Sequence, residues 1–154
     1  MASRDSADSL ERRGAQERGT FAKDDDASAA AMPERVLIVE DDYLVATELE
    51  ATLIDAGFQV VGVASTADQA IRLARIQRPD LAIVDVRLIG QRDGVDAAVT
   101  MFNELGVRSI FATAHDDPDT RERAKGASPI AWLAKPYTPA RLIPLIRGAL
   151  LSRR

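Results

Sequence analysis

The chain has 154 residues, 46% hydrophobic and 29% charged, with a formal net charge of −4, enough for one globular domain and some chain left over. It has no cysteine and a single histidine, His115, which excludes disulfides, thiol catalysis and metal sites built on cysteine or several histidines. The acidic balance and the lack of any basic run argue against a nucleic-acid partner, and no apolar run approaches the roughly 20 residues that a membrane span needs.

Residues 1–33 are polar, and between Met1 and Met32 only Leu10 and Phe21 are large and apolar. Such a segment cannot bury enough surface to offset the entropy of ordering, so it reads as a disordered tail ahead of a domain over 34–154. The run Asp24–Asp26 reads as solvated charge. The start carries no apolar signal segment, so the cytoplasm is the expected compartment.

From Arg35 the pattern alternates. Val36–Val39 is an apolar strand. Tyr43–Ala56 places Leu44, Val45, Leu49, Leu53 and Ile54 at helical spacing, and Gly57 ends it. Val60–Ala64 is a second strand, and Ser65 or Thr66 caps a helix over Ala67–Gln77. Pro79 precedes LAIVD, a third strand ending on Asp85. The loop VRLIGQRDG leads to a helix over Val95–Leu105. Ser109–Thr113 is the fourth strand, and Asp117 caps a short helix with Pro118 at its first position. Ala131–Ala134 is the fifth strand, and the last helix follows Thr138-Pro139. Pro144 inside it predicts a kink or a weakened first turn. Five continuous apolar strands alternating with five helices predict an α/β domain, a parallel sheet covered on both faces. No second domain is expected.

In an open parallel sheet, function collects beyond the carboxyl ends of the strands. Those ends are Glu40, Asp41 and Asp42; Asp85; Thr113 with Ala114 and His115; and Lys135-Pro136. Asp42 reads equally well as a helix cap. Two carboxylates about 4 Å apart repel by roughly 4 kcal/mol at an effective dielectric of 20, so the acidic cluster needs a cation, a proton or open water. Hard oxygen ligands suit Mg²⁺, which takes one or two carboxylates and keeps several waters. An aspartate can also form an acyl phosphate, whose oxygens then need neutralising. Mg²⁺, the Lys135 ammonium, the Thr113 hydroxyl and a backbone N–H after Asp85 are groups of the right kind.

The stretches VLIVEDD, PDLAIVDVRL, DGVDAA, FATAHDD and LAKPY, in this order over about residues 35–151, resemble the receiver domains of two-component response regulators. The resemblance is to the stand-alone kind found in chemotaxis. It implies a flavodoxin-like, doubly wound five-stranded sheet in the order 2-1-3-4-5, of which a chemotaxis regulator of this family is itself a standard example. It implies Asp85 as phosphoacceptor, Glu40 and Asp41 as the acidic pair with Asp41 the more direct metal ligand, and the backbone carbonyl of Arg87 as a further ligand. Thr113 takes the place of the switch hydroxyl, Lys135 that of the lysine before proline, and Trp132 that of the aromatic switch residue. Arg87 and His115 fall at variable positions flanking the site and are expected to tune the lifetime of the phosphoryl group.

The implied function is a bacterial single-domain response regulator. It would accept a phosphoryl group from a sensor histidine kinase or a histidine phosphotransfer protein, with Mg²⁺, and act on an unidentified downstream protein or serve as a phosphorelay intermediate or sink. It would not be an enzyme in the ordinary sense. The stretch GASPIAWLAKPY is longer than in the commonest receivers and leaves the end of the fourth helix open. Tyr137 replaces the usual phenylalanine and reads as packing. One alternative is a Mg²⁺-dependent phosphatase of the haloacid-dehalogenase type, which carries Asp-x-Asp at the end of strand one where this chain has Glu40-Asp41-Asp42. Another is a scaffold that is never phosphorylated, against which the complete set of acid, Asp, Thr and Lys argues.

Overall fold

The structure, a computed structural model, describes residues 32–152. The tail expected over residues 1–33 therefore lies outside the described residues except for Met32 and Pro33. The elements are β1 (Arg35–Val39), α1 (Tyr43–Asp55), β2 (Gln59–Ala64), α2 (Ala67–Gln77), β3 (Leu81–Asp85), α3 (Gly94–Leu105), β4 (Arg108–Thr113), α4 (Pro118–Ala124), β5 (Ala131–Ala134) and α5 (Pro139–Ser152). A 3-10 turn, Lys125–Ala127, prolongs α4. Among the described residues the five strands form one sheet in the order β2-β1-β3-β4-β5, every pair parallel.

The central strands serve both faces at once. Val36–Val39 and Leu81–Val84 are each at most 2% exposed. Successive side chains of a strand point to opposite faces, so Val36 and Ile38 join Leu49, Leu53, Leu142 and Ile146 beneath α1 and α5. Leu37 and Val39 join Ile71, Val95, Met101 and Phe111 beneath α2 and α3. This is why the runs are continuous rather than alternating.

Caps set the helix starts. The Asp42 carboxylate accepts from the N–H groups of Leu44 and Val45 at 3.0 and 3.3 Å, so Asp42 is the cap of α1. Thr66, rather than Ser65, caps α2. On α3 a reciprocal box forms: Asp93 accepts from Asp96 N–H at 3.0 Å and Asp96 from Asp93 N–H at 2.9 Å. That box starts α3 at Gly94, one residue before the sequence expectation. A β-carbon on Gly94 would stand 1.9 Å from the Asp85 carbonyl oxygen. Only glycine lets α3 approach the end of β3 this closely.

The end of the fourth helix, open in the sequence, falls at Ala124. Its seven residues pass into the 3-10 turn, and Ser128, with φ 49°, turns the chain toward β5. The Arg108 side chain donates to the carbonyls of Ser128 and Pro129 at 2.7 and 3.2 Å and fixes that turn. The last helix runs unbroken from Pro139 to Ser152 through Pro144. Leu142, Ile146 and Leu150 recur every four residues and are buried against the sheet, and the Thr138 carbonyl closes the first turn onto Arg141 and Leu142.

Candidate functional site

Parallel pairing sends the ends of β1, β3, β4 and β5 to one edge. There Glu40, Asp41 and Asp85 each offer a carboxylate oxygen, all within 4.8 Å of one another. Lys135 arrives from the end of β5, just before a cis Lys135–Pro136 peptide. Its ammonium donates to Glu40 Oε1 at 2.6 Å and to Asp85 Oδ2 at 3.1 Å. Three carboxylates thus face one ammonium, which leaves the cluster with an excess of negative charge.

Glu40 is 5% exposed, and its second oxygen accepts from the Asp42 N–H at 3.2 Å. Both of its oxygens are engaged by the protein. Asp85 is held at both oxygens too, by Lys135 and by the Arg87 N–H at 3.2 Å. Burial, then the neighbouring Glu40 carboxylate, pushes the Asp41 carboxyl up from its ordinary value. Burial works to lower the Lys135 ammonium, but the hydrogen bonds and charges of Glu40 and Asp85 outweigh it and hold the pKa above its ordinary value. The donor set is oxygen only and anionic, which fits a hard divalent cation.

Thr113 ends β4 and is 6% exposed. Its hydroxyl donates to the His115 carbonyl at 2.8 Å and accepts from the His115 N–H at 3.1 Å. It is therefore bonded to its own loop. His115 and Arg87 are exposed. The Arg87 charge helps hold the Asp117 carboxyl below its usual value, behind the larger effect of hydrogen bonds from Thr120. Trp132 is stacked on Phe111 of β4, ring centres 4.7 Å apart at 22°. The Arg121 guanidinium of α4 lies 4.8 Å from its ring centre.

Every residue singled out on the strand ends therefore lies at or beside this edge. Sequence reasoning alone misses the roles of Gly94, Arg121 and Arg123. Arg123 donates to both oxygens of Asp93 at 2.9 and 3.0 Å and to Asp96 at 3.3 Å, tying α4 to the start of α3. The Asp-x-x-Asp spacing was a legible capping signal; the arginines carry no local one.

The profile of the response regulator receiver domain family matches residues 36–147. The chain is 39% identical over 120 residues to the transcriptional regulatory protein PdtaR of Mycobacterium tuberculosis, covering 78% of this chain and 58% of that protein. It is 35% identical over 127 residues to the phyllosphere-induced regulator PhyR of Methylorubrum extorquens, covering 82% of this chain and 47% of that one. The chain thus spans about half the length of these curated relatives. Among solved structures, the signal receiver domain of a modulated diguanylate cyclase from Desulfovibrio desulfuricans G20 matches with a TM-score of 0.74 and 38% identity, over 78% of this chain and 95% of that one. No helix among the described residues is long and apolar enough to cross a membrane.

Proposed function

The chain belongs to the response regulator receiver domain family of two-component signalling, and we propose that it accepts a phosphoryl group on Asp85 from the phosphohistidine of a sensor histidine kinase or a histidine phosphotransfer protein. The observation that carries this reading is the Lys135 ammonium 3.1 Å from Asp85 Oδ2, beside two further carboxylates within ligating range. In the step, an Asp85 carboxylate oxygen attacks phosphorus, the P–N bond of the donor breaks, and the imidazole leaves as the acyl phosphate forms. Lys135 then has a phosphoryl oxygen to neutralise where it now holds a carboxylate.

Asp41 and Asp85, with the Arg87 carbonyl, would hold Mg²⁺ directly, and Glu40, the most buried of the three carboxylates, partly through water. When bound, the ion neutralises the oxygens of the transferred group. On phosphorylation the Thr113 hydroxyl turns from His115 to a phosphoryl oxygen, Trp132 follows, and the α4–β5–α5 face changes for a downstream protein. Arg87 and His115 tune the lifetime of the phosphoryl group. β1 runs into Glu40-Asp41-Asp42 and not into an Asp-x-Asp, which weighs against the haloacid-dehalogenase alternative.

The test is labelling by acetyl phosphate with Mg²⁺, read by intact mass. One phosphoryl group per chain in the wild type and none in Asp85→Asn supports the reading. Label on Asp85→Asn, or rapid release of phosphate over many turnovers, overturns it.

A further inference from the structure

α4 is weakly anchored by apolar contacts. Of its seven residues, only Ala124 is buried. An element with so little apolar burial belongs to the low-stability end of a fold and depends on polar contacts. Arg121 supplies two of these at once. Its Nε and Nη2 donate to the two oxygens of Asp116, each at 2.7 Å. The same guanidinium lies over the Trp132 ring, 4.8 Å from its centre. Asp116 directly follows His115, whose backbone N–H and carbonyl hold the Thr113 hydroxyl. A continuous path thus runs from Thr113 through His115, Asp116 and Arg121 to Trp132.

We propose that Arg121 is a positioning residue of the phosphoryl switch: by bonding Asp116 and covering Trp132 it holds the segment after β4 in the arrangement where the Thr113 hydroxyl is bonded to His115. The proposal rests on the reading of Asp85 as phosphoacceptor. A planar guanidinium meets a carboxylate edge-on through its fork and a ring through its face. A lysine offers neither the fork nor the stacking plane. When Thr113 turns toward a phosphoryl oxygen, His115 loses both bonds to it. The neighbouring Asp116 moves with that segment and releases Arg121, and the cover on Trp132 changes. A contact made only in the unphosphorylated arrangement opposes the phosphorylated one by the same amount.

The experiment titrates the full chain with beryllofluoride at saturating Mg²⁺, following Trp132 emission, and separately measures the rate of labelling by acetyl phosphate. Arg121→Gln is expected to bind the mimic about fivefold more tightly and to label faster, since an exposed ion pair and a cation–π contact are each worth a modest factor. Arg121→Lys should recover only part of the wild-type restraint. Asp116→Asn keeps the ring contact, should fall between, and decides the question if Arg121→Gln does not fold. A residue with a merely structural role would lower the melting temperature and leave the binding midpoint in place, so equal midpoints overturn the proposal, as does weaker binding by Arg121→Gln. A wild type that neither binds the mimic nor takes label overturns the phosphoacceptor reading and this proposal with it.

Discussion

Lys135 Nζ lies 2.6 Å from Glu40 Oε1, joining two residues 95 positions apart on opposite sides of β3. The lysine side chain is 21% exposed and the glutamate 5%. Removing one partner of a buried ion pair leaves the other charge desolvated, which costs about 3 kcal/mol or more when the burial is complete. Here the edge is partly open to water, so Lys135→Met is expected to lose about 2 kcal/mol in chelator. Added Mg²⁺ should recover more stability in the variant than in the wild type, because the cation then faces three carboxylates without the competing ammonium. Denaturant melts with and without Mg²⁺ decide this, and equal recovery in both proteins counts against it.

Asp41 and Glu40 should differ as metal ligands even though they are adjacent. Glu40 has both oxygens engaged, by Lys135 and by the Asp42 N–H. Asp41 is partly exposed and faces the cluster. Wild type should gain stability with Mg²⁺ by mass action, about 2.7 kcal/mol at a hundredfold excess over the dissociation constant. Asp41→Ala should lose most of that gain, and Glu40→Gln much less. Thermal shift over a Mg²⁺ series measures both, and a Glu40→Gln loss as large as that of Asp41→Ala would contradict the assignment.

The edge was legible in the sequence because a parallel sheet delivers every strand end to one side, so Glu40, Asp41, Asp85, Thr113 and Lys135 could be read from strand ends alone. The strands were legible because β1 and β3 are buried on both faces and leave unbroken apolar runs. Asp42 could be read as cap or ligand, and only the position of its carboxylate over the Leu44 and Val45 N–H groups decided it. The extent of α4 could not be read, since a helix that buries only Ala124 has no apolar period. Arg123 was hidden for another reason: its partner Asp93 is 30 residues away on another element.

That Arg123 contact predicts an acid dependence. Burial works to raise the Asp93 carboxyl, but the hydrogen bond from Arg123, the Asp96 N–H and the arginine's charge together hold its pKa below the ordinary value. A carboxyl depressed in the folded state adds stability above its unfolded pKa, about 3.9, and that stability is lost as pH falls through the folded value. Arg123→Ala should therefore be less stable than wild type at pH 7, by at most about 1 kcal/mol for a half-exposed pair. The gap should narrow below about pH 4. Melting temperatures of both proteins from pH 3 to pH 7 give the comparison; a gap that stays constant would assign the loss to packing.

Arg87 and His115 stand two residues beyond Asp85 and Thr113, and both are exposed. On the proposed reading they would flank the route by which water reaches an acyl phosphate on Asp85. Replacing both with Ala should change the dephosphorylation rate by about fivefold, the equivalent of about 1 kcal/mol in barrier, and leave the yield of labelling nearly unchanged. Superimposable decay curves would remove these side chains from the account.

Thr113 and Trp132 should respond together. The Thr113 hydroxyl makes two bonds to the His115 backbone, at 2.8 and 3.1 Å, and both must break before it can reach a phosphoryl oxygen on Asp85. His115 is exposed, so its freed N–H and carbonyl can turn to water, and the exchange costs about 1 kcal/mol rather than a full desolvation penalty. Trp132 reports on the move because it stacks on Phe111, two residues before Thr113 on β4, and because it is the sole tryptophan of the chain. Beryllofluoride with Mg²⁺ should change its emission in the wild type. Thr113→Ala should blunt that change while Mg²⁺ binding, which uses none of its atoms, persists. Thr113→Ser keeps the hydroxyl and should restore the response. If emission changes equally in the wild type and Thr113→Ala, the ring senses the metal or a general tightening of the edge, and the coupling between these two residues is wrong.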